Sequence, residues 1–539
     1  MDNLTNEISQ QDLTDSEKDE IAEQLSDPLW RIRNLYAIVD KMGVEVPFRP
    51  TKPQEVLINA YYIEKKQRHI ILKARRLGFS TLIDLILFDA VYWGENLQAS
   101  IVDLTQGDAS EKLKTKVKFA YEHLPPAMKE ALQGDNEKSM TFGNGSTINA
   151  GKNARGGTNQ LLHVSELGPI AHEDPKRAEE VKTGALPSAD VGAIFIESTF
   201  KGGKGGVFYD MIKTSMETPD EYKTSKDYWL HFFPWWQDET LHLQGDMRAI
   251  SKSTNDYLDQ KELELGIKFV DTQRLWYHVA LKEQGIFIKR EYPTTLDEAF
   301  AAPVEGAIYG DVINAARKNE QIHDFLIDRS VPIFCGFDIG WSDSTTVWMF
   351  QINGREVHWL WYCQVSHRTP SDVMALIRNT EIPIAGYILP HDARQTAASG
   401  GVTYEQQLIA AGALNVVVLD RPKDRWGGIN AGREIISRSR FRRTETSDGV
   451  EALEAYHTKP ISSGGVTSKE PVHDWSSHGA DGFRVCCEAI MTGRVRSRDG
   501  NKMRDMPISV RKGQLIDIDT IRQNRKNSRV MKAKSGIRL

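Results

Sequence analysis

Lys73, Arg75, Arg76, Gly78 and Ser80 lie close together in the stretch ILKARRLGFSTLIDLIL, residues 71–87. A phosphate-binding loop of the pattern G-x-x-x-x-G-K-[ST] needs glycines for close backbone approach, a lysine for the β- and γ-phosphates, and a hydroxyl for magnesium. Gly78 and Ser80 fit the end of that pattern, but Phe79 fills the lysine position and Lys73 stands where the first glycine belongs. Taken alone, the stretch reads either as an altered phosphate loop or as an ordinary strand–helix corner. Two later pairs extend it: Ser165–Glu166, closing the apolar run QLLHVSEL (160–167), and Ser198–Thr199, closing GAIFIEST (192–199). Nucleotide hydrolysis requires a phosphate cradle, a carboxylate to orient water and a hydroxyl to sense the γ-phosphate, and here they occur in that chain order. Each also has a plainer use, since a Ser-Glu pair after a strand caps helices as well.

A second group is acidic. Asp338 interrupts the apolar run VPIFCGFDIG, Asp392 ends another in LPHDAR, and Asp481 lies in SHGADGFR, where it opens an expected helix. A carboxylate inside an apolar strand is expensive unless a salt bridge or a metal accompanies it. For Asp338 singly, either would serve. Three carboxylates brought together would hold two divalent ions, ~3.5–4 Å apart, that activate water and stabilise the leaving oxygen of a phosphodiester. Asp343, His391, Asp474 and His478 flank the group, as secondary ligands or as solvated loop residues.

The elements that must position these residues alternate. HIILKA (69–74), QASIVDL (98–104), QLLHVSEL and GAIFIEST read as strands, and EKLKTKVKFAYEHL (111–124) reads as a helix. MTFGNGSTINAG (140–151) reads as a hairpin turning at Gly143–Gly145. Such alternation predicts a parallel α/β sheet, and ligands of open parallel sheets bind at the carboxyl ends of strands. Residues 227–300 are dense in aromatics and read as a helical subdomain with an aromatic core, or else as a base-stacking surface. From 331, three strands joined by short turns at Gly340–Ser344 and Asn353-Gly354 precede the helical SDVMALIRNT and the strands AGYIL and NVVVLD. That order is ribonuclease-H-like.

At 539 residues the chain calls for two or three domains. Its net charge of −6 argues against a wholly basic nucleic-acid coat but conceals an asymmetry. Residues 2–27 carry nine acids and one lysine, whereas 494–539 carry fourteen Lys/Arg and four acids. A basic tail of this kind is either solvated or suited to an acidic partner or DNA. Cys335, Cys363, Cys486 and Cys487 make no C-x-x-C pair, which fits a reducing compartment and gives no zinc signal. The start MDNLTNEISQQDL is polar and acidic, unlike a signal peptide. The best membrane candidate, TLIDLILFDAVYW, is broken by Asp84 and Asp89, so a soluble intracellular protein is expected.

Over roughly residues 28–490 the chain resembles the large subunit of the terminases that package DNA in tailed double-stranded DNA bacteriophages. The resemblance rests on WRIRNLYAIVDKMGVEVPFRPTKPQ, ILKARRLGFST, FGNGSTINA, ARGGTNQLLHVSE, IESTFKGGKGGVFYD, GFDIGWSDST, LPHDAR and SHGADGFR. In that family the loop's cation is often displaced to the start of the loop. The resemblance therefore gives Lys73 the phosphate role, with Arg75 and Arg76 within reach of the same phosphates and Gly78 and Ser80 completing the loop. It makes Gln54 the adenine-recognition glutamine, Glu166 the residue that polarises the attacking water, and Ser198–Thr199 with KGGKGG the coupling motif. Ser165 departs from the pattern, because the family has an aspartate there. A hydroxyl holds magnesium or its water shell less tightly, which implies weak nucleotide affinity outside an assembled motor. Arg155 corresponds to an arginine that in such ring motors reaches the neighbouring subunit's ATP; from the sequence alone it is equally a surface turn residue.

The resemblance further implies an N-terminal P-loop (ASCE-type) ATPase followed by a ribonuclease-H-like nuclease whose metal triad is Asp338, Asp392 and Asp481. Its cofactors would be ATP and Mg²⁺, with Mg²⁺ or Mn²⁺ in the nuclease. Its partners would be double-stranded DNA, the procapsid portal, the small terminase subunit and other copies in a ring, a pentamer, with no membrane. Its place would be the host cytoplasm, docked transiently on the procapsid. The expected division is an acidic segment 1–27, an ATPase domain 28–225, a lid or linker 226–325, a nuclease domain 326–493 and a basic tail 494–539. Rival readings are a repair helicase–nuclease, which should carry further helicase motifs after Thr199, and a non-hydrolysing adaptor, suggested by Phe79 and Ser165. If the tail serves docking, deleting 495–539 will leave ATPase and nuclease rates of the isolated protein unchanged and impair packaging into procapsids. Loss of nuclease activity in a folded truncation would place the tail in the catalytic domain.

Overall fold

A computed structural model describes residues 14–154, 157–301, 304, 306–340, 344–395, 401–421, 424–458 and 470–495. Arg155, Asp343 and the basic tail beyond 495 lie outside the described residues. The chain falls into two compact units, one within 1–302 and the other within 303–539, with Gly203–Gly205 grouped with the second.

The first unit is built on a parallel-rich sheet. Its relevant elements are α1 (Lys52–Ile58), β1 (Arg68–Lys73), α2 (Phe79–Trp93), β2 (Gln98–Val102), β3 (Leu132–Asn136), β4 (Ser139–Phe142), β5 (Thr147–Gly151), β6 (Leu161–Ser165), α3 (Leu167–Glu173), β7 (Ala193–Ser198) and β8 (Trp229–Phe233). Among the described residues the strand order is β8-β1-β7-β6-β2-β5-β4-β3. β8 through β5 are mutually parallel, and β5, β4 and β3 run antiparallel as the expected hairpin and its extension. The loop strand β1 thus lies between β8 and β7, with β6 and β2 beyond, which is the ASCE-type order. Helices on both faces explain the near-continuous apolar strands. Ile71 joins one core with Phe79, Leu82 and Ile86, while Ile70 and Leu72 join the other with Leu162, Val164 and Ile196.

β8 belongs to this sheet, so the unit does not close at 225 as the sequence division has it. Pairing of Trp229–Phe233 with His69–Lys73 continues the sheet past that point. Beyond β8, Trp235 packs on Phe269, Trp276 and Tyr277. The aromatic segment forms a core there, and Trp235 itself is fully buried. Asp84 and Asp89, which interrupt the apolar sequence of α2, are both buried and paired. Asp89 accepts two hydrogen bonds from Arg31 and one from Tyr36, and Asp84 meets His163 at 2.7 Å. Among the described residues no helix is long and apolar enough to cross a membrane.

The second unit contains α4 (Gly310–Lys318), β9 (Ile333–Asp338), β10 (Ser344–Asn353), β11 (Glu356–Ser366), α5 (Pro370–Asn379), β12 (Ile384–Leu389), β13 (Val416–Val418), α6 (Arg425–Ser437), β14 (Ser439–Phe441) and α7 (Trp475–Met491). Its sheet order is β13-β12-β9-β10-β11-β14. β9, β10 and β11 form the antiparallel meander, and β12 and β13 extend it in parallel from β9. This is the ribonuclease-H-like arrangement, with short β14 added in parallel beside β11. Ile308, Tyr309, Ile313 and Ala316 join the same core as Trp348, Trp359 and Phe483. The second compact unit therefore begins near 303, ahead of the expected start at 326, because α4 turns an apolar stripe into its core.

Phe79 is fully buried and stacks on Phe233 with centroids 4.5 Å apart. Replacing it by lysine restores the usual loop pattern but buries a charge in an aromatic contact. Phe79→Lys should lower the stability of the first unit by at least about 3 kcal/mol, read as a drop in its denaturation midpoint.

Candidate functional site

Three strand ends of the first sheet converge on one buried carboxylate. Lys73 ends β1, Ser165 ends β6 and Ser198 ends β7, as expected of a site at the carboxyl edge of a parallel sheet. Between them sits Glu197, fully buried. Its Oε1 accepts from Ser80 Oγ at 2.5 Å and from Ser165 Oγ at 2.8 Å. Its Oε2 lies 2.9 Å from Lys73 Nζ, an ion pair too poorly aligned to be a hydrogen bond. Lys112 donates to Ser165 Oγ at 2.8 Å and pairs with Asp103, and His163 bridges toward Asp84. Burial pushes Glu197 toward its neutral form, but Lys73, His163 and Lys112 outweigh it and hold the carboxyl well below the usual carboxylate range. Lys73 shows the mirror image: burial favours its neutral form, yet Glu197 and Glu166 raise it above the ordinary lysine value.

Glu166 follows Ser165 in the left-handed region, at φ 58°, and directly precedes α3 without a side-chain hydrogen bond to its first turn. Burial raises its pKa; Lys73 opposes this and Glu197 reinforces it. A carboxylate raised in this way is poised to accept a proton from water. The hydroxyl that reaches Glu166 is Ser198, at 3.5 Å, which also receives the Gly168 amide. Thr199 is buried and offers its carbonyl to Ser198. Gly78 takes φ 76° to turn the loop into α2. Gln54 on α1 donates to the Gly78 carbonyl at 2.8 Å and accepts from the Thr51 amide at 2.9 Å. It braces the loop in this state, with one further N–H on its amide nitrogen. Arg75 points away to Glu291 at 3.2 Å and Arg76 is exposed with φ 65°. Of the three cations at the loop, the buried one is Lys73.

Glu197 lies in IESTFKGGKGGVFYD directly before Ser198–Thr199, but the motif assigns it no role. The available signal was the one that singled out Asp338: an acid within an otherwise apolar strand, AIFIES.

In the second unit, Asp338, Asp392 and Asp481 line one cavity of about 270 Å³. Asp338 ends β9, and Asp392 lies in the short turn His391–Arg394 after β12. Asp481 does not open its helix: Asp474 caps α7, accepting from the Ser476 and Ser477 amides, and Asp481 sits two turns in. α7 reaches the end of β9 because Gly482 and Gly336 leave room. A Cβ on Gly482 would stand 2.5 Å from Thr346 Oγ1, and one on Gly336 would stand 2.1 Å from Cys486 Sγ. Burial raises the Asp338 pKa; His478, 3.8 Å away, opposes the rise, and Asp481 and Asp392 add to it. Asp481 is paired with Arg484 at 3.2 Å, and the buried Asp392 Oδ1 has no hydrogen-bond partner. His391 also lines the cavity. Among the described residues, no three acidic, His or Cys side chains are drawn into a closed cage. The donors nonetheless suit a hard divalent cation: carboxylate oxygens gathered against their mutual repulsion, one of them buried and unsatisfied.

No protein-family model and no curated protein matches the sequence. In fold, the chain is similar to phage large terminases. The large terminase of bacteriophage HK97 aligns over 86% of this chain and 99% of its own, at 13% identity and a TM-score of 0.46. The large terminase of a thermophilic bacteriophage, in complex with ATP-gamma-S, aligns over 81% of this chain and 98% of its own, at 13% identity and a TM-score of 0.31. The nuclease domain of the SPP1 large terminase with bound Mn covers 31% of this chain and 95% of its own, at 12% identity and a TM-score of 0.25.

The Lys73–Glu197 pair makes a stability prediction. Lys73→Ala leaves a carboxylate buried with its main cation gone and should cost on the order of 3 kcal/mol. Adding Glu197→Gln should recover most of that loss in thermal or urea unfolding.

Proposed function

We propose that the protein is an ATP-driven translocase of double-stranded DNA joined to a metal-dependent DNA endonuclease, the large subunit of a phage DNA-packaging terminase. One observation carries this reading. Each unit gathers its chemistry-bearing side chains at the carboxyl ends of its own strands: a buried lysine with hydroxyls and carboxylates in the first, three carboxylates in the second. The sequence resemblance to terminases joins the two halves.

In the first unit, Lys73 neutralises phosphate charge at the loop and Ser80 lies at the start of α2 beside it. Glu166 orients water and takes its proton, and Ser198, in contact with Glu166, reports the state of that carboxylate to the loop that follows β7. Bound with ATP, Mg²⁺ would offset charge on the transferring phosphoryl group. In the second unit Asp338, Asp392 and Asp481 would hold Mg²⁺ or Mn²⁺, which activates water for phosphodiester cleavage. His478 beside Asp338 and Arg484 beside Asp481 fix the orientation of two of these carboxylates. Arg155 in a neighbouring subunit's ATP site, a ring of copies on a portal, a small-subunit partner and action in the host cytoplasm belong to the same proposal.

The two activities should separate by mutation. Glu166→Gln should lower ATP hydrolysis by about 10²- to 10⁴-fold and leave DNA cleavage measurable. Asp338→Asn should do the reverse. Cleavage by Asp338→Asn at saturating metal would refute the metal assignment, and ATP hydrolysis at the normal rate by Glu166→Gln would refute the catalytic one.

A further inference from the structure

Strand β6 ends in Ser165 where an ATP site of this kind would place an acid toward magnesium. The neighbouring strand offers one at the same level. Ser165 and Glu197 are directly paired in the β6–β7 register, and their side chains meet at 2.8 Å. Resting on the ATP-site reading above, we infer that Glu197 supplies from β7 the carboxylate that holds the nucleotide's magnesium or its water shell.

Three features support this over a purely structural Glu197. First, Glu197 bonds Ser80, the loop hydroxyl that in phosphate loops of this pattern is the magnesium ligand. A carboxylate hydrogen-bonded to that hydroxyl stands where the ion's outer sphere must be. Second, Glu197 Oε2 is buried without an aligned donor, although Lys73 is only 2.9 Å away. A lysine that leaves for a phosphate would free that oxygen and its negative charge together. Third, Ser165 is oriented as a bridge and not as a ligand: it donates to Glu197 and accepts from Lys112, so its oxygen already carries a cationic donor. Two other buried acids nearby are already paired, Asp103 with Lys112 and Asp84 with His163. The acid has therefore moved one strand across, and the site loses no carboxylate by carrying Ser165.

The test uses the full-length chain and reads nucleotide binding, not turnover. Titrate ADP and ATP-gamma-S in EDTA and again with Mn²⁺, following affinity by calorimetry and bound Mn²⁺ by electron paramagnetic resonance. The unmutated chain should bind more tightly with metal. Glu197→Gln, which releases Lys73 for phosphate, should bind at least as tightly without metal, while its metal-dependent gain falls by about 10- to 100-fold. Ser165→Asp combined with Glu197→Gln should return part of that gain, because it moves the acid back to β6. If Glu197→Gln does not fold, Glu197→Asp keeps the charge for Lys73 and withdraws the carboxylate by one methylene, with the same selective loss expected. A full metal-dependent gain in whichever variant folds overturns the inference and leaves the ATP site standing. Failure of the unmutated chain to bind nucleotide with or without metal overturns the ATP-site reading, and this inference with it.

Discussion

The pairing of Lys73 with Glu197 is the interaction on which the first unit's chemistry depends. Removing both charges from water is costly, and their attraction recovers that cost only where other groups satisfy the remaining lone pairs. Ser80, Ser165 and, through Ser165, Lys112 supply those groups, and they come from separate segments of the chain. The pair therefore fixes the end of β1, the start of α2 and the ends of β6 and β7 relative to one another. On the proposed reading it would also store a cation at the loop that phosphate could claim, since a phosphate would offer the lysine both charge and hydrogen-bond acceptors.

The second unit solves a like problem by steric means. Carboxylates repel, so they gather only where packing forces them together, and here the force is the close seating of α7 on β9 and β10. Gly482 and Gly336 set that distance, and the Trp348 indole fixes it by donating to the Gly479 carbonyl at 2.8 Å. Burial raises the Asp338 pKa, and the neighbouring Asp481 and Asp392 add to the rise. A divalent cation relieves the same crowding.

Much of this was legible in the sequence because apolar runs and their polar ends encode parallel strands directly. β1, β2, β6, β7, the 140–151 hairpin and the β9–β11 meander all follow the runs read from the chain. What was not legible depended on pairing at a distance. β8 joins the sheet only through its register with β1, which no local pattern in DYWLHFFPWW expresses. α4 reads as polar because its inward stripe of Ile313 and Ala316 is thin. Asp481 was set at a helix start because the cap, Asp474, lies in a polar run whose hydrogen bonds to Ser476 and Ser477 are visible only in three dimensions. Glu197 carries a local mark, an acid in an apolar strand, but its partners Lys73, Ser80 and Ser165 all lie far from it along the chain.

The central claim is that Lys73 is the loop's phosphate cation, held by Glu197 until nucleotide arrives. The most direct measurement is a high-resolution structure of the full-length chain with ATP-gamma-S and Mg²⁺. The account predicts Lys73 Nζ on a phosphate oxygen and withdrawn from Glu197, with Phe79 still stacked on Phe233. A nucleotide bound through Arg75 or Arg76, with Lys73 still paired to Glu197, would contradict it.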